Sequence, residues 1–253
     1  GVLAVSSVQV MTEPTFLDFS KPGFSTKSQA VRTARAKHWC ARTPLGFAVL
    51  SYEHVGRLLR DRRLRQGSYA WPESRNANGS FAKFWKRSLI SMEGAQHKKI
   101  RSLTAKAMSD EFVLSLKPRF DEIAKKLILK LTAKKKCEFQ SEFSMPFSGQ
   151  AICTLLGLPI ERWFPIANDA STLGLAMGLD YKSHEAKINK AYDNLSELAD
   201  ELIYNAKIQK TCGGLVNRLI TFLDDFDDIS YREIADLIVI IIFGGVDTTR
   251  SQL

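Results

Sequence analysis

The chain has 253 residues, 45% of them apolar, and carries 36 Lys and Arg against 27 Asp and Glu, a formal charge of +9. That length fills one large or two small domains with a sizeable core, and the basic balance suits either a solvated surface or an acidic partner. Four scattered cysteines (Cys40, Cys137, Cys153, Cys212) without C-x-x-C spacing exclude a sequence-level zinc or disulfide framework and fit a reduced, cytoplasmic setting.

The first residues, Gly1 to Pro14, lack a basic start and a sustained apolar stretch, so no secretory leader is expected. The chain begins with Gly rather than Met, which fits a processed or missing start. The stretch WCARTPLGFAVLSY, from Trp39 to Tyr52, places β-rich flanks around Pro44-Leu45-Gly46 and predicts a hairpin. A short helix is expected from Glu53 to Asp61, and residues 62–82, rich in Gly, Ser, Asn and Arg, predict a long loop.

From Gln96 onward the apolar spacing is helical. One helix runs through HKKIRSLTAKAMS and another through PRFDEIAKKLILKLTAKK, which begins at Pro118. A third, SMPFSGQAICTLLG, closes at Gly157 with Pro159 just beyond. The stretch HEAKINKAYDNLSELADELIYNAKIQK forms a long amphipathic helix, ended by Cys212-Gly213-Gly214. The expected class is therefore mainly α with a small N-terminal β-sheet: an extension over residues 1–36, then one domain over 37–253.

The last helix is the most informative. Ser230 and Glu233 fit a capping box, and no proline interrupts the 23 residues from Tyr231 to Leu253, about 34 Å of helix. Its run Leu237–Phe243 is apolar on every face, so burial is expected, yet seven residues are far short of the about 20 that a membrane span needs. No membrane anchor is visible. Directly after this run come Gly244, Gly245, Asp247 and Thr248. Two helical glycines cost about 1 kcal/mol each, Thr248 can bond the Gly244 carbonyl four residues back, and Asp247 needs a partner if buried. Such a helix has an opened groove with a hydroxyl and a carboxylate in it, or else only a close helix contact and the beginning of an exposed half.

The motif GGVDTT resembles the (Ala/Gly)-Gly-x-(Asp/Glu)-Thr-Thr signature of the central helix of cytochrome P450, the haem-thiolate monooxygenases. A second segment, Glu93-Gly94-Ala95-Gln96-His97-Lys98-Lys99-Ile100-Arg101, is similar to that family's Asp-(Pro/Gly)-Pro-Glu-His-x-x-x-Arg segment, with Ala95 in place of the usual proline. The order and separation of hairpin, second segment and central helix follow the family from about Lys37 to Leu253. The resemblance implies a partial cytochrome P450 fold and a b-type haem. It implies that His97 and Arg101 clasp haem propionates, that Gly244 and Gly245 line the oxygen groove, and that Asp247 and Thr248 form the catalytic acid–alcohol pair. No protein metal ligand is carried over.

The family's Phe-x-x-Gly-x-x-x-Cys-x-Gly haem-ligand motif and its Glu-x-x-Arg pair are both absent from these 253 residues. The expectation is thus the N-terminal part of a monooxygenase that inserts one atom of O2 into an apolar small molecule, inactive as this piece alone, with the apolar run Leu237–Phe243 left partly uncovered. Residues 65–90 and 165–185 correspond to the family's substrate-contacting segments, which makes Trp71, Phe81, Phe84, Leu173 and Met177 candidates for core packing or for substrate contact. Lys98, Lys99 and Lys106 share the helix of His97 and Arg101, where the family meets an acidic redox partner such as a ferredoxin. Two rivals stand beside this reading. One is a basic helical protein binding nucleic acid through Lys134-Lys135-Lys136, although no recognition module is present. The other is a non-catalytic remnant that binds a partner or small molecule without haem.

Overall fold

The computed structural model describes residues 13–178, 180–208 and 214–253, which fall into two compact units dividing between Gln66 and Gly67. The domain boundary expected between residues 36 and 37 lies inside the first unit. Its helix α1, Gln29–Lys37, starts where the Ser28 hydroxyl accepts from the Val31 backbone N–H. The strands β1, Cys40–Thr43, and β2, Gly46–Val49, pair antiparallel with Thr43 opposite Gly46. Pro44 and Leu45 are the two loop residues, and Gly46 leaves the turn at φ +116°, a conformation glycine adopts without a Cβ penalty. Leu17, Ala34 and Ala41 form a small core under Phe24, Val31 and Leu50. Helix α2, Tyr52–Leu58, ends three residues earlier than the sequence pattern indicates.

The second unit has helices and no strand among its described residues. The loop expected over residues 62–82 is interrupted by short helical pieces and ends at Gly79. A 3₁₀ turn, Ser68–Ala70, leads into α3, Trp71–Ser74, and α4 begins at Ser80 and ends at Arg87. Local composition was misleading because the order here is tertiary. Trp71 meets Tyr181 edge-on at 5.0 Å and Phe84 stacks on Tyr192 at 4.7 Å. The Trp85 indole N–H donates to the Ser68 carbonyl at 2.8 Å.

Helix α5 spans Gly94–Ala107, and α6 spans Asp110–Thr132. The latter starts eight residues before Pro118, because Ser109 supplies an N-cap that accepts from Phe112 N–H. Pro118 is tolerated inside it on the exposed side, next to Leu114, where water can take the carbonyl the ring leaves unpaired. A π-helical turn, Gln140–Ser144, precedes α7, Met145–Leu156, which closes at Gly157 in the left-handed conformation, φ +84°, as its sequence predicts. Helix α8 is Trp163–Gly174, α9 is Tyr181–Ile208, and α10 is Leu215–Leu223. The stop expected for α9 at Cys212-Gly213 lies outside the described residues. The last elements are α11, Tyr231–Phe243, a π-helical turn over Gly244–Thr248, and α12, Thr249–Gln252.

Helix α9 is the spine of this unit: α4, α8, α10 and α11 all pack on it, and it buries Tyr181, Ile188, Leu195 and Ala199. Burial, and then the adjacent Glu185 carboxylate, push the Tyr181 hydroxyl up to about 12. The folded chain therefore keeps a proton that the unfolded chain releases near 10. This contribution to stability is complete below pH 10 and is lost as pH rises toward 12. Urea midpoints measured across that window should fall less steeply for Tyr181→Phe than for the unaltered chain.

Candidate functional site

The site begins with the way α11 is fixed. The Ser230 hydroxyl accepts from Glu233 N–H at 3.2 Å while the Glu233 carboxylate accepts from Ser230 N–H at 2.8 Å, so the expected capping box is present. Burial alone would raise the Glu233 carboxyl, but the Ser230 backbone N–H and the Gln96 and Ser230 side chains outweigh it and hold the group below the ordinary range. Leu237, Ile238, Val239 and Ile242 are buried, whereas Ile240, Ile241 and Phe243 are only half-buried. The apolar run is thus covered on one side and partly open on the other, as its sequence predicts.

At Gly244 the helix widens into the π turn. The Thr248 hydroxyl donates to the Gly244 carbonyl, the bond expected from their spacing. The two glycines then part company. A Cβ built on Gly244 would meet nothing within 4 Å, whereas one on Gly245 would lie 2.6 Å from Ile152 Cδ1 of α7. Gly244 borders open space, and Gly245 permits a close helix contact. Ile240, Ile241, Gly244 and exposed Thr248 form one incompletely covered stripe.

Asp247 does not face that stripe. Its carboxylate accepts from Arg250 Nη2 at 2.9 Å and lies against Gly174, the last residue of α8, where a Cβ would stand 3.2 Å from both carboxylate oxygens. Successive residues of a helix point about 100° apart, so the acid and the alcohol diverge. Arg250 and Gly174 were not identified from the sequence. The i+3 spacing of Arg250 was a readable signal; the approach of Gly174, 73 positions away, was not.

The second group stands on α5. Gly94 enters the helix at φ +72°, and His97 and Arg101 follow one turn apart on the same face. Neither side chain has a hydrogen-bond or ion-pair partner among the described residues, His97 being half-buried and Arg101 exposed. Neighbouring residues tie this end of α5 to the start of α11. Gln96 Nε2 donates to Glu233 Oε1 at 2.6 Å and to the Asp228 carbonyl at 3.0 Å. Helix α5 packs mainly on α10, while the π turn packs on α7 and α8. The two groups share no extensive packing, so a ligand that uses both must bridge them.

Of the other candidates, Phe81, Phe84 and Leu173 are fully buried core residues, Trp71 is packed on Tyr181, and Met177 is 48% exposed. Lys99 and Lys106 are ion-paired with Asp228 and Asp225 at 3.4 and 2.5 Å, so the basic patch on α5 is partly neutralised from within the chain. Cys40 and Cys153 are buried, and burial pushes the Cys153 thiol up to about 11; Cys137 is exposed, and Cys212 lies outside the described residues.

No family model matches the chain. It is 29% identical over 259 residues to the luteothin monooxygenase of Streptomyces thioluteus, covering 98% of this chain and 62% of that protein. It is 27% identical over 222 residues to the mycinamicin IV hydroxylase/epoxidase of Micromonospora griseorubida, covering 84% and 52%. Among solved structures, epothilone B-bound cytochrome P450epoK superposes with a TM-score of 0.77 at 16% identity, over 91% of this chain and 60% of that one. The chain thus spans 52–62% of the length of these curated relatives. Its curated relatives and structural neighbours are cytochrome P450s, haem-dependent enzymes, and the mainly helical architecture with its two-stranded sheet is theirs over the matched part. Among the described residues no helix is long and apolar enough to cross a membrane.

Proposed function

We propose, on the premise that this chain carries about 60% of a cytochrome P450 fold, that it supplies the oxygen-side wall and one carboxylate clamp of a monooxygenase acting on an apolar small molecule. The observation that carries the proposal is the π turn, where Thr248 bonds Gly244 beside a position at which no side chain fills the space. The donor set fits haem as well. His97 and Arg101 are a cationic or hydrogen-bonding pair without partners among the described residues, suited to the two propionates, and the Ile240, Ile241 and Gly244 stripe is apolar.

When bound, haem supplies the redox chemistry that activates O2. The chain's own residues do the rest of what can be assigned. His97 and Arg101 bind and orient the propionates. Ile240 and Ile241 keep water off the ring. Gly244 leaves room for a small ligand over it. The Thr248 hydroxyl is the proton-bearing group at the open stripe, and Asp247, on the other side of the turn, is the acid in reach of solvent that can resupply it on turning away from Arg250. Lys98, unlike Lys99 and Lys106, has no ion-pair partner among the described residues and is the most available contact on α5 for an acidic electron donor.

Titrating haem into the purified 253-residue chain tests the clamp. Haem uptake should weaken at least about tenfold in His97→Ala/Arg101→Ala, since two charge-assisted hydrogen bonds are lost. Unchanged affinity would favour a protein that does not hold haem in this way. In the same sample, reduced and treated with CO, the thiolate absorption band should be missing, because none of the four cysteines stands in the haem-ligand motif. Appearance of that band would overturn this part of the proposal.

A further inference from the structure

The acid of the π turn sits in a seat. Its carboxylate is 26% exposed, is gripped from the next helical turn by Arg250, and rests on the bare backbone of Gly174 at the end of α8. Gly174 has φ −58° and ψ −27°, an ordinary helical conformation open to any residue. Backbone geometry therefore does not require glycine there. The tight neighbour is Asp247: a methyl group would come within 3.2 Å of both oxygens and 3.3 Å of the carboxyl carbon, so the carboxylate would have to give by a few tenths of an ångström.

We propose that Gly174 and Arg250 are positioning residues for Asp247. Gly174 leaves the α8 surface bare so that the carboxylate can lie against it. Arg250 holds the carboxylate on that side, away from the Gly244–Thr248 stripe. Asp247 then serves Thr248 only when it leaves Arg250, so these two residues set how often the acid is available. This inference rests on the proposed role of Thr248 and Asp247, but its structural half stands independently.

Two measurements test it. The first is a double-mutant cycle on folding, which needs no haem. In an Asp247→Ala background, Gly174→Ala should raise the folded-to-unfolded ratio about fivefold, the ordinary gain of alanine over glycine in a helix. With Asp247 in place, the same substitution should give no gain or a loss. An equal gain in both backgrounds would overturn the seat. The second uses the complete protein of which these 253 residues are proposed to be a part, loaded with haem and supplied with substrate and electrons. Gly174→Ala and Arg250→Met should change the fraction of reducing equivalents that reach product several-fold while substrate affinity stays the same, and Arg250→Lys should restore it. A parallel change in affinity and yield, or no change in yield, would overturn the positioning role. If the unaltered chain fails to take up haem, the monooxygenase reading and the proton-supply role fall together, and the folding cycle still decides whether Gly174 is a seat for Asp247.

Discussion

Arg87→Ala is expected to lower the unfolding free energy of the chain by about 3 kcal/mol. The reason is the partner it would abandon. Asp236 of α11 is 2% exposed, and its carboxylate accepts from Arg87 Nε at 2.6 Å and from Nη2 at 3.1 Å, while Nη2 also donates to the Tyr192 hydroxyl at 2.7 Å. One guanidinium thus joins α4, α9 and α11. Its hydrogen bond with Asp236 is the main cause that raises the Arg87 guanidinium above its ordinary value. Removing it leaves a carboxylate in the core with no counter-charge, a loss of 3–5 kcal/mol in fully buried pairs. The lower end applies here because the Arg87 side chain is 40% exposed and part of the pair's attraction is already screened.

A second variant separates this cost from simple loss of packing. Arg87→Met/Asp236→Leu replaces both charges with apolar groups of similar reach, and it should recover most of the stability lost by Arg87→Ala. Urea unfolding of the two variants provides the comparison. Should the double variant be as unstable as the single one, the pair would be needed for itself rather than to avoid an isolated charge.

The pair also marks where sequence reasoning ended. Features decided within a few residues were legible. Pro44-Leu45-Gly46 gave the hairpin, Ser230 and Glu233 the start of α11, Gly157 the end of α7, and Thr248 with Gly244 the bond inside the π turn. Each of these is a local contest among backbone groups for partners, and the residue types show who wins. Features decided across the fold were not legible. Residues 62–82 looked like a polar loop, yet Trp71 and Phe81 order the later part of it by packing with Tyr181 and Tyr192, about a hundred positions away. Asp236 reads as one polar residue in an apolar helix until Arg87, 149 positions earlier, is seen beside it.

The candidate site shows the same division. Its residue types, order and spacing were recognisable, and a wide helical turn with a free glycine edge was implied by them. The direction each side chain takes was not. Gly244 and Gly245 looked equivalent, but one borders space and the other presses on Ile152. Asp247 and Thr248 looked like a joined pair, but α8 and Arg250 draw the acid to the other side. Neighbours from distant segments set those directions, and they leave no trace in the local spacing.

Gly214→Ala should be the costliest of the small substitutions, also by about 3 kcal/mol. The residue caps the start of α10 with φ −93° and ψ 172°, which alanine adopts without strain, so conformational freedom does not explain the glycine. Space does. A Cβ there would strike the Leu156 carbonyl oxygen and lie 2.5 Å from both Leu156 C and Gly157 N. All three atoms are main chain, held by the close of α7, where Gly157 N–H and Leu158 N–H bond back to Thr154 and Cys153 carbonyls. A flexible side chain could swing away from a methyl group; this backbone cannot without opening the α7 cap or lifting α10, whose Leu215 and Leu219 are fully buried. The nearby Gly157→Ala offers a contrast. There the left-handed φ of +84° costs about 1–2 kcal/mol, which asparagine should partly relieve, beside a milder contact of 3.0 Å with Gly214 Cα that any Cβ would make. At Gly214 no residue with a Cβ should relieve the loss, and hydrogen exchange should show the first turn of α10 opening together with the last turn of α7. A loss below about 1 kcal/mol for Gly214→Ala, with protection of those turns intact, would show that the two backbones are free to separate.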